Sequence, residues 1–354
     1  MAMPHALVAG ATGIVGTRVC EHLHAQGWHV TGLCRTPPAD ERPHDFIPVD
    51  LTDARDCARK LATLRDVTHV IYAARYDHPE GESESVETNA LMLRNLIEAV
   101  EPVASGLRHV HLVHGTKYYG HMLGPIAVPV TEDAPRAGIA NFYFAHEDFM
   151  RERQHGKAWK FSTSRPHTFC DENPAEPRNA ALLIAVYASI ARELGEPLHF
   201  PGSEKSFHAR TQFTYVRLLA KAVTWMSSGA RGAQASYNIT NGDSPRWSEL
   251  WPGFAHYFGV AAGAPRPLRL ADHVAGKHDV WRKLVDREGL EPVSLEARVL
   301  WPYADYVFKP EWDIVSDLSR ARRDGFTEQI DSARMFDNLF DSFRKNRVIP
   351  RGDG

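Results

Sequence analysis

Cysteine is scarce in this chain, with four in 354 residues. Cys20, Cys34, Cys57 and Cys170 stand far apart, with no CxxC and no Cys/His pair at zinc spacing, so neither a disulfide framework nor a zinc site is expected. An excess of charge of one sign is also missing: 41 Lys and Arg against 44 Asp and Glu leave a net charge of −3. No global cationic field therefore invites nucleic acid or a membrane surface. No apolar run reaches the length of a membrane span. Met1–His5 lead straight into an apolar strand, without the basic region and small-residue cleavage site of a secretory signal. A reduced, soluble, cytoplasmic protein is the expectation. Internal repeats and low-complexity linkers are absent too. What remains is an ordinary globular composition, 43% hydrophobic and 24% charged, long enough for about two domains at roughly 150 residues each.

The first half alternates between two periods. Short apolar runs at His5–Gly10, His29–Cys34, Asp45–Asp50, His69–Ala74, His109–His114 and Lys160–Pro166 read as strands. Between them, Thr17–Gln26, Asp53–Arg65, Val86–Val100 and Phe142–Gln154 read as helices. Such alternation implies βαβ units, hence a doubly wound parallel sheet of the Rossmann type with helices on both faces. After Cys170 the regularity weakens. Helices are expected at Ala180–Leu194 and Val216–Met226, then a strand at Tyr237–Asn241 that returns to the sheet, then mostly helical sequence. The expected division is a dinucleotide-binding domain over 1–170 and a smaller substrate-binding region over 171–354, partly interleaved with the sheet.

The strongest local signal is HALVAGATGIVGTRVCEHL, which carries Gly10, Gly13 and Gly16 between a strand and a helix. Glycines there let the backbone turn sharply and approach a pyrophosphate, whose charge sits at the helix amino end. The second strand ends in Arg35, where sites for NAD place an acid on the ribose. Arg35 suits a 2′-phosphate instead, which favours NADPH over NADH; the alternative is a solvated loop arginine. Asp50, after the third strand, is placed for the adenine amino group or for capping a helix, a role that suits Asp53 better. Ala73 and Ala74 are small enough to let a ribose pass.

Short-chain dehydrogenases place a tyrosine and, four residues on, a lysine on one helix face, where the lysine lowers the tyrosine's pKa. That pair is missing: Tyr143 is followed at this spacing by Glu147, and Tyr119 by Leu123. Either catalysis has been lost, or the two groups come from different elements. Lys117, in HLVHGTKYYG just past the fifth strand, and Tyr143, in NFYFAHEDFM, are the candidates. Taken singly, one reads as a surface lysine and the other as a packing residue; together they flank the expected nicotinamide position.

With these blocks in view, the sequence resembles the progesterone 5β-reductase/iridoid synthase family, atypical short-chain dehydrogenases that reduce activated C=C bonds with NADPH. GATGIVG, VTHVIYAA, HGTKYYG, NFYFAHEDFM, SRPHTF, YNITNGDSPRWSELW, VWRKLVDREGL and KNRVIP carry the likeness nearly end to end. The resemblance implies 1,4-reduction of an α,β-unsaturated carbonyl, a small-molecule enone, with Tyr143 and Lys117 forming the active site; a homodimer would fit the resemblance alone. The cofactor is expected on Gly10, Thr12, Gly13, Ile14, Val15, Gly16, Arg35, Asp50, Leu51, Ala73, Ala74, Pro166 and Phe169. The substrate pocket is expected to draw on Arg75, Tyr119, Trp301 and Tyr303, with Tyr306 as a further aromatic wall.

Several positions depart from the family pattern. Arg35 is followed by Thr36 where paired arginines are common, Arg75 and Tyr76 replace a tryptophan, and His167 stands where glycine is common. The changes point to a smaller or more polar enone than a steroid, and Arg75 either binds an acidic group or faces solvent. Three alternatives stand beside the enone reductase: a carbonyl reductase, a nucleotide-sugar epimerase-like enzyme, which would need the absent Tyr-x-x-x-Lys pair, and a non-catalytic NADP(H) sensor. The 19 histidines suggest metal, but His109, His111 and His114 lack neighbours at ligand spacing, so no metal is expected.

Overall fold

The apolar runs of the first half are mostly buried, as strands inside a parallel sheet require, except at the half-exposed edge run Asp45–Pro48. In the computed structural model, which describes residues 3–77, 84–229 and 234–352, six of them form β1 (His5–Ala9), β2 (His29–Cys34), β3 (Asp45–Pro48), β4 (His69–Tyr72), β5 (His109–Val113) and β6 (Lys160–Arg165). Their order is β3-β2-β1-β4-β5-β6, all parallel. The strand Ser236–Asn238 joins beside β6, with Tyr237 opposite Ser164, so the second half of the chain does return to the sheet.

Alternation along β1 shows why both faces need cover. Leu7 and Ala9 pack with Val70, Tyr72 and Leu112 under α2 (Ala54–Leu61) and α3 (Val86–Val100). Ala6 and Val8 point the other way, toward α1 (Ile14–Ala25) and the helix Val216–Ser228. At about 1.5–3 kcal/mol for each large apolar side chain fully buried, these two layers dominate the first half's stability.

Helix α3, α4 (Phe142–Gln154) and α5 (Ala180–Leu194) have the limits their patterns predict. Helix α1 begins three residues earlier than expected, because Gly16 sits inside its first turn rather than before it. Helix α2 is shorter than expected and stops at Leu61. Every residue of α5 from Ala180 to Ala191 is buried, wrapped by the helices Trp247–Phe258, Trp301–Phe308 and Ser332–Lys345. Arg18 of α1 joins the halves: its guanidinium donates to both oxygens of the fully buried Asp171. All four cysteines are buried and free, and no helix among the described residues is long and apolar enough to cross a membrane.

Candidate active site

The glycine turn is shaped by contacts that admit no side chain. Gly10 has φ +76°, and a Cβ there would lie 2.8 Å from the Ala73 carbonyl and the Ala74 nitrogen. A Cβ on Gly16 would lie 2.0 Å from the Gly10 carbonyl oxygen, whereas one on Gly13 would sit at 3.4 Å. The Gly10 and Ala11 amides donate to the Leu33 carbonyl at 3.2 Å each, which fastens the turn to β2. Gly13 offers α1 no side-chain cap, so the first-turn amides look for an acceptor from outside the helix. Glu176 lies near this end, where the Ile14 amide favours its charged form, but burial and neighbouring Asp171 outweigh that and push the carboxyl up to about 7. The uncapped amides at this helix end and the close Gly10–Gly16 approach together form a turn with room for an anion at its tip. Thr12 is exposed at the tip of the turn, Ile14 half-buried, and Val15 buried.

Arg35 is exposed at the end of β2, open to a ribose substituent. Asp50 lies just past β3 and its carboxylate accepts from the Thr52 amide at 2.9 Å and hydroxyl at 2.7 Å, so it shapes a turn. Asp53 caps α2, as the sequence suggests. Leu51 is buried, and its carbonyl accepts from the Asn95 amide at 2.8 Å. Ala73 and Ala74 meet Gly10 across the turn, while the Pro166 carbonyl accepts from the Thr116 amide at 2.9 Å. Phe169 pairs in register with Thr214, which anchors the segment leaving β6.

Lys117 and Tyr143 come from separate elements and are fastened together by Asn141. Lys117 rides on a short 3-10 turn, Thr116–Tyr119, past the end of β5. Asn141 caps α4 by accepting from the Tyr143 amide at 3.0 Å, and its own side-chain NH₂ donates to the Lys117 carbonyl at 3.3 Å. The Tyr143 ring stacks on His114 at 4.5 Å, and its hydroxyl lies over Gly115, where a Cβ would come within 3.2 Å of it. Burial raises the phenol's pKa well above its ordinary value; Glu84 raises it further and Arg75 opposes. Glu84 is the residue sequence reasoning missed. Its carboxylate accepts from the Lys117 ammonium and, on the other oxygen, pairs with Arg75 Nε at 3.1 Å. It lies in the acidic run GESES, which reads as solvated loop and gives no sign of this role.

Glu147 shows why the usual lysine cannot stand four residues after Tyr143. It is buried, pairs with Arg165 at 3.0 Å and Arg136 at 3.2 Å, and accepts from the Tyr118 hydroxyl. Arg165 also lies 3.4 Å over the Tyr118 ring. A lysine in that place would meet two guanidinium groups. The same network takes Tyr119, whose hydroxyl donates to Asn238 at 2.6 Å and accepts from Arg165. Trp301 is buried in the C-terminal aromatic core. Tyr303 stacks on Tyr306 at 6.0 Å, and Tyr306 is the ring whose charged neighbours are Arg75 and Glu84; burial lifts its phenol to about 12. A small cavity lined by Tyr306, His121, Met122, His167 and Trp312 opens beside it.

The histidines of β5 are core residues: His111 hydrogen-bonds the hydroxyls of Ser162 and Ser164. Among the described residues, His5, His29 and Asp66 come within reach of a single ion, with the two imidazoles stacked at 3.9 Å. The two histidines stand at the amino ends of β1 and β2, the far end of those strands from the glycine turn, and Asp66 precedes β4.

The sheet order and the glycine turn define a Rossmann fold. Residues 51–350 match the PRISE-like Rossmann-fold domain, and the chain belongs to that family. It is 32% identical over 365 residues to a 3-oxo-Delta(4,5)-steroid 5-beta-reductase of Arabidopsis thaliana, covering 98% of this chain and 93% of that one. It is 30% identical over 363 residues to an (S)-8-oxocitronellyl enol synthase of Catharanthus roseus, covering 98% and 92%. Among solved structures, a short-chain dehydrogenase/reductase superfamily protein of Agrobacterium tumefaciens with bound NAD superposes with a TM-score of 0.68 at 17% identity, covering 96% of this chain and 97% of that one.

Proposed function

We propose that this protein is an NADPH-dependent enone reductase, adding a hydride to the β-carbon of an α,β-unsaturated carbonyl. The observation that carries this reading is that Asn141 ties the Lys117 turn, past the carboxyl end of β5, to the start of the Tyr143 helix, so that the two groups come from two joined elements rather than from one helix. The relatives' names support it: a 3-oxo-Δ4,5-steroid is a conjugated enone, and an enol is what conjugate reduction first yields.

The turn at Gly10–Gly16 and the α1 amides would hold the pyrophosphate, and Arg35 a 2′-phosphate. Bound there, a reduced nicotinamide would supply the hydride. Tyr143 remains a protonated phenol at neutral pH, because burial and Glu84 disfavour its anion. It can therefore donate a hydrogen bond to the substrate's carbonyl oxygen as that oxygen takes up the electron pair displaced from the C=C bond. Lys117 orients the tyrosine and the cofactor's ribose. Water then protonates the α-carbon, which completes the saturated carbonyl compound. Tyr303 and Tyr306 wall the substrate side, with Arg75 at its edge.

The test is NADPH oxidation with small cyclic and linear enones, with the products identified. Saturated carbonyl compounds are expected, with turnover reduced about 10²–10³-fold in Tyr143→Phe. Allylic alcohols would mean carbonyl reduction, and tight NADPH binding without turnover would mean a sensor.

A further inference from the structure

Three chain segments converge on one carboxylate. Arg75 follows β4, Glu84 precedes α3, and Lys117 follows β5. The Glu84 side chain is only 10% exposed, against 39% for Arg75 and 35% for Lys117, so the acid is the inner member of the trio. A carboxylate withdrawn from water to this extent needs cationic partners, and each oxygen has one.

The supports behind the trio are rigid. Ser85 caps α3 by accepting from the Thr88 amide at 3.1 Å, which fixes where Glu84 enters. Fully buried Asn89 accepts from the Tyr76 amide at 2.9 Å and donates to the Ser85 carbonyl at 2.8 Å, so the Arg75 segment is stapled to the Glu84 segment. The Asn89 carbonyl in turn bonds the His146 ring at 3.0 Å, one turn along α4 from Tyr143. The geometry of Arg75, Glu84 and Tyr143 is thus set through Asn89, and Lys117 joins through Glu84.

We propose that Glu84 is a positioning residue of the reductase site: one oxygen anchors the Lys117 ammonium, the other Arg75, and together they hold the lysine in a fixed place on the side of the site from which Glu84 faces Tyr143. This rests on the enone reductase reading for its effect on turnover, but the anchoring itself does not. Around the phenol stand His114 just past β5, Glu84 from the entry to α3, Arg75 from the segment after β4 and Tyr306 from the C-terminal region. His114 is neutral there, since burial drives its pKa well below the ordinary value. Among the described residues the charges facing Tyr143 are therefore Arg75 and Glu84, of opposite sign, and removing the acid leaves an unbalanced guanidinium and a lysine without its anchor.

The experiment compares wild type, Glu84→Gln and Glu84→Asp, each first shown to keep its melting temperature. In the ligand-free protein, acetylation of Lys117 by acetic anhydride is followed by peptide mass spectrometry. Glu84→Gln should acetylate several-fold faster at Lys117 and at the wild-type rate at distant lysines such as Lys221. With an enone, kcat in Glu84→Gln should fall about tenfold or more while KM for NADPH holds within about twofold, because a misplaced lysine costs alignment rather than binding. Glu84→Asp, which keeps the charge, should recover part of kcat. Unchanged Lys117 acetylation in a folded Glu84→Gln protein would overturn the anchoring whatever the enzyme's activity. Faster acetylation with unchanged kcat would overturn the positioning role. An absence of enone turnover in the wild type would count against the reductase reading alone, and the acetylation result would still decide the anchor.

Discussion

Gly16→Ala is the sharpest perturbation of the cofactor cradle. The added methyl would lie 2.0 Å from the Gly10 carbonyl oxygen and 2.8 Å from the Ala11 Cα, both backbone, while 3.4 Å is the spacing at Gly13. The turn must open by more than an ångström, yet Gly10 is backed by Ala73 and Ala74 and tied to Leu33, so it cannot retreat freely. Overpacking of this kind costs about 1–3 kcal/mol, partly offset by roughly 1 kcal/mol from replacing glycine with alanine inside a helix. The expected net loss of stability is therefore modest, about 0–2 kcal/mol by thermal or urea unfolding. NADPH affinity should fall as well, because the displaced amides are those that would face the pyrophosphate. A loss of about tenfold or more in affinity, roughly 1.4 kcal/mol, is expected by fluorescence titration. Gly13→Ala, whose methyl makes only ordinary contact, should keep its melting temperature. If Gly16→Ala matches the wild type in both stability and NADPH affinity, the cradle argument is wrong.

Two further perturbations probe the surroundings. Glu147→Lys recreates the tyrosine–lysine spacing but sets a cation against Arg165 and Arg136; it should cost about 3–5 kcal/mol in unfolding experiments, and rescue of a Lys117→Ala enzyme by it would contradict the reading of that network. Glu176 is held up at about 7 from an ordinary 4.5, so the folded protein holds this proton more tightly than the unfolded chain. Its contribution to stability is complete below the lower value and is lost as pH rises toward the upper one. Glu176→Gln should therefore flatten the melting temperature against pH across that window and be the more stable protein above it; parallel curves would refute the assignment.

The parts of the fold that were legible from sequence were those governed by local pattern. The limits of α3 and α4 follow from apolar spacing and from caps, Ser85 and Asn141, that stand next to the helices they start. The start of α1 was misplaced because a glycine in a first helical turn looks like loop, and only the Gly10–Gly16 approach explains it. The glycine turn and the Lys117 and Tyr143 candidates were visible because each adjoins a strand end or helix start. Glu84 was not, because its partners lie nine and 33 residues away in sequence and its own neighbourhood is a plain acidic run. The roles of Glu147 and Tyr119 likewise depend on Arg165, which reaches them only across the packed sheet edge.

The central claim is the carbon that receives the hydride. NADPH deuterated at the transferable nicotinamide position, incubated with a cyclic enone and the wild-type protein, tests it directly. One deuterium is expected on the β-carbon of a saturated ketone, with the α-position carrying hydrogen from water. Deuterium on the carbonyl carbon of an allylic alcohol would contradict it.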